Sequence, residues 1–307
     1  MKKILVSLVI LGAVGALAFG ASQAFFNDTE TSKGNVLAAG AIDLKVDNTC
    51  YYNGQACTEG HWGGNLNAPK CSCSWNSEDL TEENLFFDLH DIKPGDYEED
   101  TISLTVHDNE SWLCADVHLT SDDDVDCTDP EKADDANCGV PTPEPNGNNA
   151  DGDLADQVRF IWWADDGDNV LEDGERQLRG GPLGVLNVSQ TANVALADST
   201  TNVWSGLAND PIPLGGKTWY IGKAWCFGNI TTAPLPQDGH GNVWSPAGNN
   251  DGNQTSGEPT DGGYKCDGSG VNNAAQTDML TADISFRAEQ ARHNDGFVCD
   301  ERARPPG

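Results

Sequence analysis

The feature that most restricts the fold of this 307-residue chain is a set of short stretches in which apolar and polar residues alternate. In residues 101–107, TISLTVH, the side chains of Ile102, Leu104 and Val106 fall on one face, and residues 113–119 repeat the pattern. A period of two is typical of β-strands, and no long stretch keeps a helical period. Residues 158–164, VRFIWWA, predict a strand buried on both faces. We therefore predict an all-β, jelly-roll-like β-sandwich.

Ten cysteines restrict the fold further. An even number of cysteines in an exported chain is typical of a disulfide framework, and the spacing leaves the pairing open. Only one residue separates Cys71 from Cys73, so we expect these two to bond to different partners. A zinc site is less favoured, because there is no CxxC pair and no Cys/His quartet with finger spacing. The ten are Cys50, Cys57, Cys71, Cys73, Cys114, Cys127, Cys138, Cys226, Cys266 and Cys299.

Long polar tracts separate the predicted strands. Three of them, at about residues 48–84, 121–156 and 232–276, carry cysteines. Long loops without structure of their own are uncommon in compact domains, so we expect these tracts to be surface insertions held by disulfides.

The first 24 residues have the composition of a secretory signal peptide. Lys2 and Lys3 precede an uncharged apolar run, and Ser22 and Ala24 form an A-x-A-like cleavage site. The alternative is an uncleaved anchor, but the apolar run is shorter than the roughly 20 residues that a spanning helix needs. We predict a secreted, extracellular or cell-surface protein that meets the membrane only through the signal peptide before cleavage.

The charge balance restricts the partners of the protein. Seventeen basic residues face 49 acidic ones, for a net charge of −32. Such a chain repels nucleic acid and anionic lipid, and it attracts cations. In an exported protein, this acidity is typical of calcium binding or of a high-salt habitat.

Three stretches resemble proteins of the secreted, fibre-forming TasA/camelysin family, whose distinctive signal peptide is cut just before an F-x-D motif. They are FFNDTETSKGNVLAAGAIDLKV (25–46), DLHDIKPGDYEEDTISLTVHDNES (88–111) and TADISFRAEQAR (281–292). They cover the two ends and one central segment of the chain. The first is the most specific, because K-P-G-D is also a common turn. The cysteine-bearing insertions depart from the family pattern.

The resemblance implies a jelly-roll subunit, residues 45–307, of a filament on the cell surface or in a biofilm matrix. The mature N-terminal segment, residues 25–44, would complete the sheet of the next subunit by donor-strand exchange. The alternative is that this segment pairs within its own sheet. The partner would be the protein itself, with cell-surface or matrix polymers as further candidates. The candidate donor residues are the anchors Phe25 and Phe26, followed by Val36, Leu37, Ile42 and Leu44.

Residues 162–175, WWADDGDNVLEDGE, resemble an EF-hand-like calcium loop of variant spacing. Calcium takes six to eight oxygen ligands, and we predict a structural Ca²⁺ here. The alternative is a solvated acidic turn after a buried strand. The acidic tracts 121–126 and 149–156 lack ligand spacing and are expected to be solvated. The predicted ligands are Asp165, Asp166, Asp168, the carbonyl of Val170, Glu172 and Glu175.

No catalytic motif stands out. The sequence has no H-E-x-x-H and no G-x-S-x-G, and we predict no enzyme, although the camelysin branch of the family has been labelled metallopeptidase. His107 and His118 are candidates to share a cation on neighbouring strands, with two surface histidines as the alternative. The rival functions are a monomeric surface adhesin or carbohydrate-binding module, in which Trp62, Trp75 and Trp244 stack on sugars, and a secreted metallopeptidase.

Five N-x-S/T sequons are candidates for glycosylation in a host that modifies its surface proteins. A glycan on Asn27 would clash with strand insertion, so we expect that residue to be unmodified. The remaining candidates are Asn109, Asn187, Asn229 and Asn253.

Overall fold

The computed structural model describes residues 42–139, 152–182, 191–213, 215–237 and 262–300, and the backbone of residues 27–31. These residues contain one short helix, α1 (Leu154–Gln157), and a 3₁₀ turn at Glu131–Ala133. The rest of the regular structure is β. The strands are β1 (Asn27–Thr31), β2 (Asp43–Tyr52), β3 (Gln55–Thr58), β4 (His61–Trp62), β5 (Trp75–Glu78), β6 (Tyr97–His107), β7 (Ser111–Asp123), β8 (Val158–Asp165), β9 (Gln177–Pro182), β10 (Thr191–Ala197), β11 (Thr218–Phe227), β12 (Asn229–Thr232), β13 (Tyr264–Asp267) and β14 (Met279–Gln290).

Two antiparallel sheets pack against each other. The first sheet has the strand order β1-β14-β7-β10. The second has the order β4-β3-β2-β6-β11-β8-β9, with β5 added beside β2, and β12 and β13 form a separate pair. The predicted all-β sandwich is confirmed, and its jelly-roll connectivity stays a prediction.

The alternating stretches build the core between the sheets. Ile102, Leu104 and Val106 of β6 are completely buried, as the period of two predicts. Strand β7 of the first sheet contributes four buried side chains to the same core cluster: Leu113, Ala115, Val117 and Leu119. Each fully buried side chain of this size contributes about 1.5–3 kcal/mol, so these strands account for much of the attraction between the sheets.

Strand β8 is buried on both faces, as its dense apolar run predicts. Phe160 and Trp162 belong to the main core, whereas Ile161 and Trp163 point to the outer face of the second sheet. There Trp163 crosses Gly222 of β11 so closely that a Cβ on Gly222 would lie 2.0 Å from the indole ring. Glycine is therefore required at this position, and a second apolar layer forms outside the sheet.

A buried ionic cluster lies on β6 and β11, where the sequence predicted no charged core. The Lys223 ammonium lies 2.7 Å from Asp100 Oδ2 and 3.5 Å from Glu98 Oε2. Trp225 Nε1 donates to Glu98 at 2.5 Å, and Asn48 Nδ2 donates to Asp100 at 2.8 Å. Burial raises the pKa of both carboxyl groups, and Lys223 opposes that rise. The single lysine is the main counter-charge of this cluster.

Five disulfides confirm the predicted framework, and none of the ten cysteines, all of which are described, is free. Cys71 and Cys73 bond to different partners, as expected. The longest span, between Cys114 and Cys299, joins β7 to the segment after β14. The pairs are Cys50–Cys73, Cys57–Cys71, Cys114–Cys299, Cys127–Cys138 and Cys226–Cys266.

The insertions begin later than the sequence indicates. Residues 48–52 continue β2 and pair with β6, so the first insertion starts after Tyr52. Residues 121–123 likewise belong to β7. Strand β13 lies inside the third predicted insertion, and a disulfide ties it to β11. The strands therefore extend further into the polar tracts than alternation of apolar residues alone shows.

Five disulfides are compatible with an exported protein. Across the described part of the chain, no helix is long and apolar enough to span a lipid bilayer. The predicted signal peptide, residues 1–24, lies outside the described residues.

Replacing Lys223 with methionine should lower the free energy of unfolding by about 3–5 kcal/mol, because it leaves two buried carboxyl groups without their counter-charge. Urea unfolding at neutral pH measures this loss. Lys217→Met, at an exposed lysine, is the control and should cost less than about 1 kcal/mol. The difference should shrink as the pH falls, because burial raises the pKa of both carboxyl groups and the cost of protonating them, relative to the unfolded chain, falls with pH. Equal losses for the two variants at neutral pH would contradict the buried cluster.

Candidate functional sites: a strand edge and an acidic loop

The first site is the edge of the first sheet. Strand β1 is the outermost strand and pairs antiparallel with β14, from Asn27 opposite Glu289 to Thr31 opposite Ser285. In this structure the N-terminal strand therefore pairs within its own chain. An edge strand such as β1 is hydrogen-bonded to a neighbouring strand on one side only.

The predicted donor residues divide into two groups. Phe25, Phe26, Val36 and Leu37 lie outside the described residues. Ile42 and Leu44 are 4% and 0% exposed in the core of their own chain, where Leu44 of β2 lies opposite Val106. A segment that leaves the subunit therefore ends before residue 42, and the predicted range 25–44 is too long.

A cavity lies next to the part of β14 that β1 does not cover. Strand β1 reaches only as far as Ser285 along β14, and residues 279–282 have no described strand on that side. Side chains from this part of β14 line a cavity of about 720 Å³. That volume is within the range of about 300–1,000 Å³ that is typical of pockets for small molecules and cofactors. The apolar walls include Phe87, Phe160, Trp162, Trp225, Leu280 and Ala282.

The second site is the acidic loop, residues 165–176, between β8 and β9. Its ends are joined by the Ala164 N–H, which donates to the Arg176 carbonyl at 2.8 Å. In the middle, Leu171 is completely buried and exchanges backbone hydrogen bonds with Gly262 and Leu235, each at 3.0 Å. These hydrogen bonds hold the loop against the apolar layer on the outer face of the second sheet, to which Trp163 and Leu171 both belong.

Two of the predicted ligands shape this loop instead of facing a common centre. The Asp165 carboxylate accepts hydrogen bonds from Trp163 Nε1 at 3.0 Å, from the Gly167 N–H at 2.9 Å and from the Asn169 N–H at 3.2 Å. Asp168 Oδ1 accepts from the Val170 N–H at 2.9 Å. Carboxylates that bond nearby backbone N–H groups in this way are typical of tight turns.

Three of the predicted ligands do converge. Carboxylate oxygens of Asp166, Glu172 and Glu175 all lie within 4.8 Å of one another. Glu175 is held in place by the N–H groups of Asp166 at 3.0 Å and Glu172 at 2.9 Å. Because Glu172 is only 3% exposed and Asp165 and Asp168 only 2%, the alternative of a solvated acidic turn is wrong.

Asn169 is a member of this site that the sequence did not predict. It is 2% exposed, and neither its amide oxygen nor its amide nitrogen makes a hydrogen bond to a described residue. Its backbone takes a positive φ of 65°, which asparagine tolerates better than most residues.

Two carboxyl groups of the acidic loop, those of Asp165 and Glu175, resist ionisation. Burial, then the charge of Asp168, raises the pKa of Asp165 to about 8. Burial, then the charge of Asp165, raises the pKa of Glu175 to about 9. Burying several ionised carboxylates close together costs free energy unless a cation neutralises their charge.

A second acidic cluster involves the two acidic tracts, 121–126 and 149–156, that we expected to be solvated. Oxygens of Asp124, Glu131 and Asp278 lie within 4.8 Å of one another, and Glu131 is completely buried. Glu131 accepts from the Thr128 N–H at 2.9 Å, and Asp278 accepts from the Asp153 N–H at 2.6 Å. These hydrogen bonds orient the carboxylates, and Asp278 comes from a distant part of the sequence.

Among the described residues, the two candidate histidines lie on different sheets, and two of the candidate tryptophans contact the interior of their own chain. His107 is on β6 of the second sheet and His118 on β7 of the first, so they are not on hydrogen-bonded neighbouring strands. Trp62 packs beside the Cys50–Cys73 and Cys57–Cys71 disulfides. Trp75 donates to the Val46 carbonyl, and Trp244 lies outside the described residues.

Two of the candidate glycosylation sites fall on described surface segments. Asn109 is in the turn between β6 and β7, and Asn229 is exposed at the start of β12. Asn187 and Asn253 lie outside the described residues, and of Asn27 only the backbone is described.

No protein-family model matches the chain, and a search of curated proteins finds no significant match. The family resemblance therefore depends on the three quoted stretches alone.

Replacing Asp122 with asparagine should raise the melting temperature at pH 8 by about 2–4 °C. Burial, with added repulsion from Asp156, Asp123 and Asp153, raises the pKa of Asp122 to about 7. The folded protein then holds this proton more tightly than the unfolded chain does, so stability falls as pH rises from about 4 through 7. Thermal melts with a chelator present measure the effect.

The same substitution should bring no gain at pH 4, where Asp122 is already protonated. Asp129→Asn, whose side chain is 98% exposed, is the control and should leave the melting temperature unchanged at both pH values. A gain for Asp122→Asn that did not depend on pH would contradict the assigned cause.

Proposed function

We propose that this protein is a secreted structural subunit that assembles head to tail into an extracellular filament. The observation that carries the proposal is the pairing of β1 with the edge of β14, beside a 720 Å³ cavity between the sheets. A neighbouring subunit would supply β1 in place of the subunit's own strand. When each subunit gives one strand and receives another, the contacts run head to tail, and they produce fibres if the rotation between subunits does not close them into a ring.

The physical basis of the exchange is that β1 makes the same backbone hydrogen bonds in either arrangement. Its five residues pair with Ser285–Glu289 through main-chain groups, which do not distinguish one copy of the chain from another. Between β1 and Ile42, where the body of the subunit begins, lie ten residues, 32–41. Fully extended, ten residues span at most about 36 Å, and the connection becomes shorter as more of these residues join the donated strand.

The cavity supplies the apolar part of the recognition. If a donated strand continued the register of β1, Val36 would lie opposite Leu280, which lines the cavity. The next residue, Leu37, would point to the other face of the sheet, and residues 38–41 would remain as the connection to Ile42. Alternate side chains of an added strand point into the sandwich, where they would cover the apolar walls.

The first test compares the mature protein, from Phe25 onward, with a version that begins at Asn35 and so lacks β1. Negative-stain microscopy of both, at matched concentration, should show filaments only for the longer protein. Filaments from both would keep assembly and exclude strand donation. Filaments from neither would exclude the proposal and favour a monomeric surface adhesin or carbohydrate-binding module.

A second test asks which copy of β14 receives the strand. Thr31 and Ser285 lie opposite each other, so cysteines placed at the two positions should form a disulfide. The two single variants, Thr31→Cys and Ser285→Cys, are mixed and allowed to assemble. A covalent dimer on a non-reducing gel is expected, because only exchange between chains brings the two cysteines together.

The matched control replaces Ser285→Cys by Thr281→Cys, which lies four residues out of register on the same strand. It should give little cross-linking with Thr31→Cys. Filaments in which the Thr31→Cys/Ser285→Cys double variant forms only a bond within one chain would contradict strand exchange.

A further inference from the structure

We propose that the acidic loop binds one divalent cation, calcium, through Asp166, Glu172 and Glu175, with the side-chain amide oxygen of Asn169 as a further ligand. The proposal goes beyond filament assembly and does not depend on it. It also changes the ligand set that the sequence predicts, because Asp165 and Asp168 are not among the assigned ligands.

The convergence of three carboxylates is the first observation. Oxygens of Asp166, Glu172 and Glu175 lie within 4.8 Å of one another, a separation that one ion can bridge with bonds of 2.3–2.6 Å. Without a cation, oxygens of like charge at this separation repel each other. The backbone hydrogen bonds that Glu175 accepts from Asp166 and Glu172 hold the three residues at this spacing.

The amide of Asn169 is the second, independent observation. A buried side-chain amide normally makes hydrogen bonds, since leaving one without a partner costs about 1–3 kcal/mol. Asn169 is 2% exposed, and both polar atoms of its side chain lack a hydrogen-bond partner among the described residues. It lies in the same loop, between Asp166 and Glu172. A cation there would give its carbonyl oxygen a strong partner.

Asp165 and Asp168 are not assigned as ligands because their oxygens are not among the three that converge. Asp165 accepts three hydrogen bonds that close the turn, and Asp168 accepts one from Val170. They hold the loop in the shape that brings the ligands together. The ligand set is therefore made of oxygen atoms on a short, closed loop, with no assigned sulfur or imidazole ligand, which favours calcium over zinc.

Terbium luminescence gives a readout that is specific to this loop. Tb³⁺ replaces Ca²⁺ in oxygen sites and emits when a nearby tryptophan transfers energy to it. Trp163 is hydrogen-bonded to Asp165 at the base of the loop, so an ion bound here is next to a donor. We expect Tb³⁺ emission from the mature protein to saturate at one ion per chain, and we expect excess Ca²⁺ to remove that emission by competition.

Glu175→Gln should weaken calcium binding by about tenfold or more in calorimetric titration, because affinity depends on the number of charged ligands. Glu82→Gln, at an exposed glutamate, is the matched control and should bind like the unchanged protein. If Glu175→Gln fails to fold, Asp166→Asn and Asn169→Ala test the same ion through other ligands. Calcium should also raise the melting temperature of the unchanged protein and of Glu82→Gln.

Two results would overturn the proposal. One is no measurable calcium binding and no tryptophan-sensitised emission from the folded, unchanged protein. The other is equal weakening by Glu175→Gln and Glu82→Gln, which would mean that the ions are attracted only by the net charge of the chain. Binding that survives Glu175→Gln but is lost in Asp278→Asn would assign the ion to the second acidic cluster instead.

Discussion

A shortage of basic side chains governs how this fold buries its carboxylates. The chain has 17 lysines and arginines for 49 aspartates and glutamates, so acidic side chains far outnumber the basic side chains that could pair with them. One lysine, Lys223, serves both Glu98 and Asp100 between β6 and β11. Asp165 is stabilised instead by N–H groups. At Asp166, Glu172 and Glu175, calcium is our proposed answer to the same constraint.

Strand β8 connects the two candidate sites. On one face, Phe160 and Trp162 line the cavity beside β14. On the other face, Ile161 and Trp163 support the outer layer against which the acidic loop is fixed. The two sites therefore lie on opposite sides of one sheet. Strand addition at the first and cation binding at the second involve different residues and can be tested separately.

The sequence predicted the parts of the fold that depend on local periodicity. Ile102, Leu104 and Val106 share a buried face because a strand alternates its side chains, and this can be read without a structure. Glu98 and Asp100 are on the same strand, but their burial depends on Lys223, which β11 brings alongside. Charged residues next to a predicted strand are ordinarily exposed, so the beginning of β6 was missed.

The acidic sites show the same limit. Spacing alone placed six ligands in the loop, but it could not distinguish a carboxylate that bonds a backbone N–H from one that faces a shared centre. Asp165 and Asp166 are adjacent and take these two different roles. The second cluster could not be predicted at all, since Asp278 reaches Asp124 only through the pairing of β7 with β14. The same limit applies to the predicted donor strand, because alternation alone could not show that Leu44 belongs to the core of its own subunit.

The disulfide between Cys114 and Cys299 has a mechanical consequence. Cys114 lies opposite Arg287 of β14, within the stretch that pairs with β1. In a filament held by strand exchange, tension passes from the donated strand into β14. The covalent bond ties the segment after β14 back to β7, so β14 cannot slide out along its own axis. A pulled fibre would therefore fail first at the non-covalent junction between subunits, and each subunit would remain folded and able to rejoin.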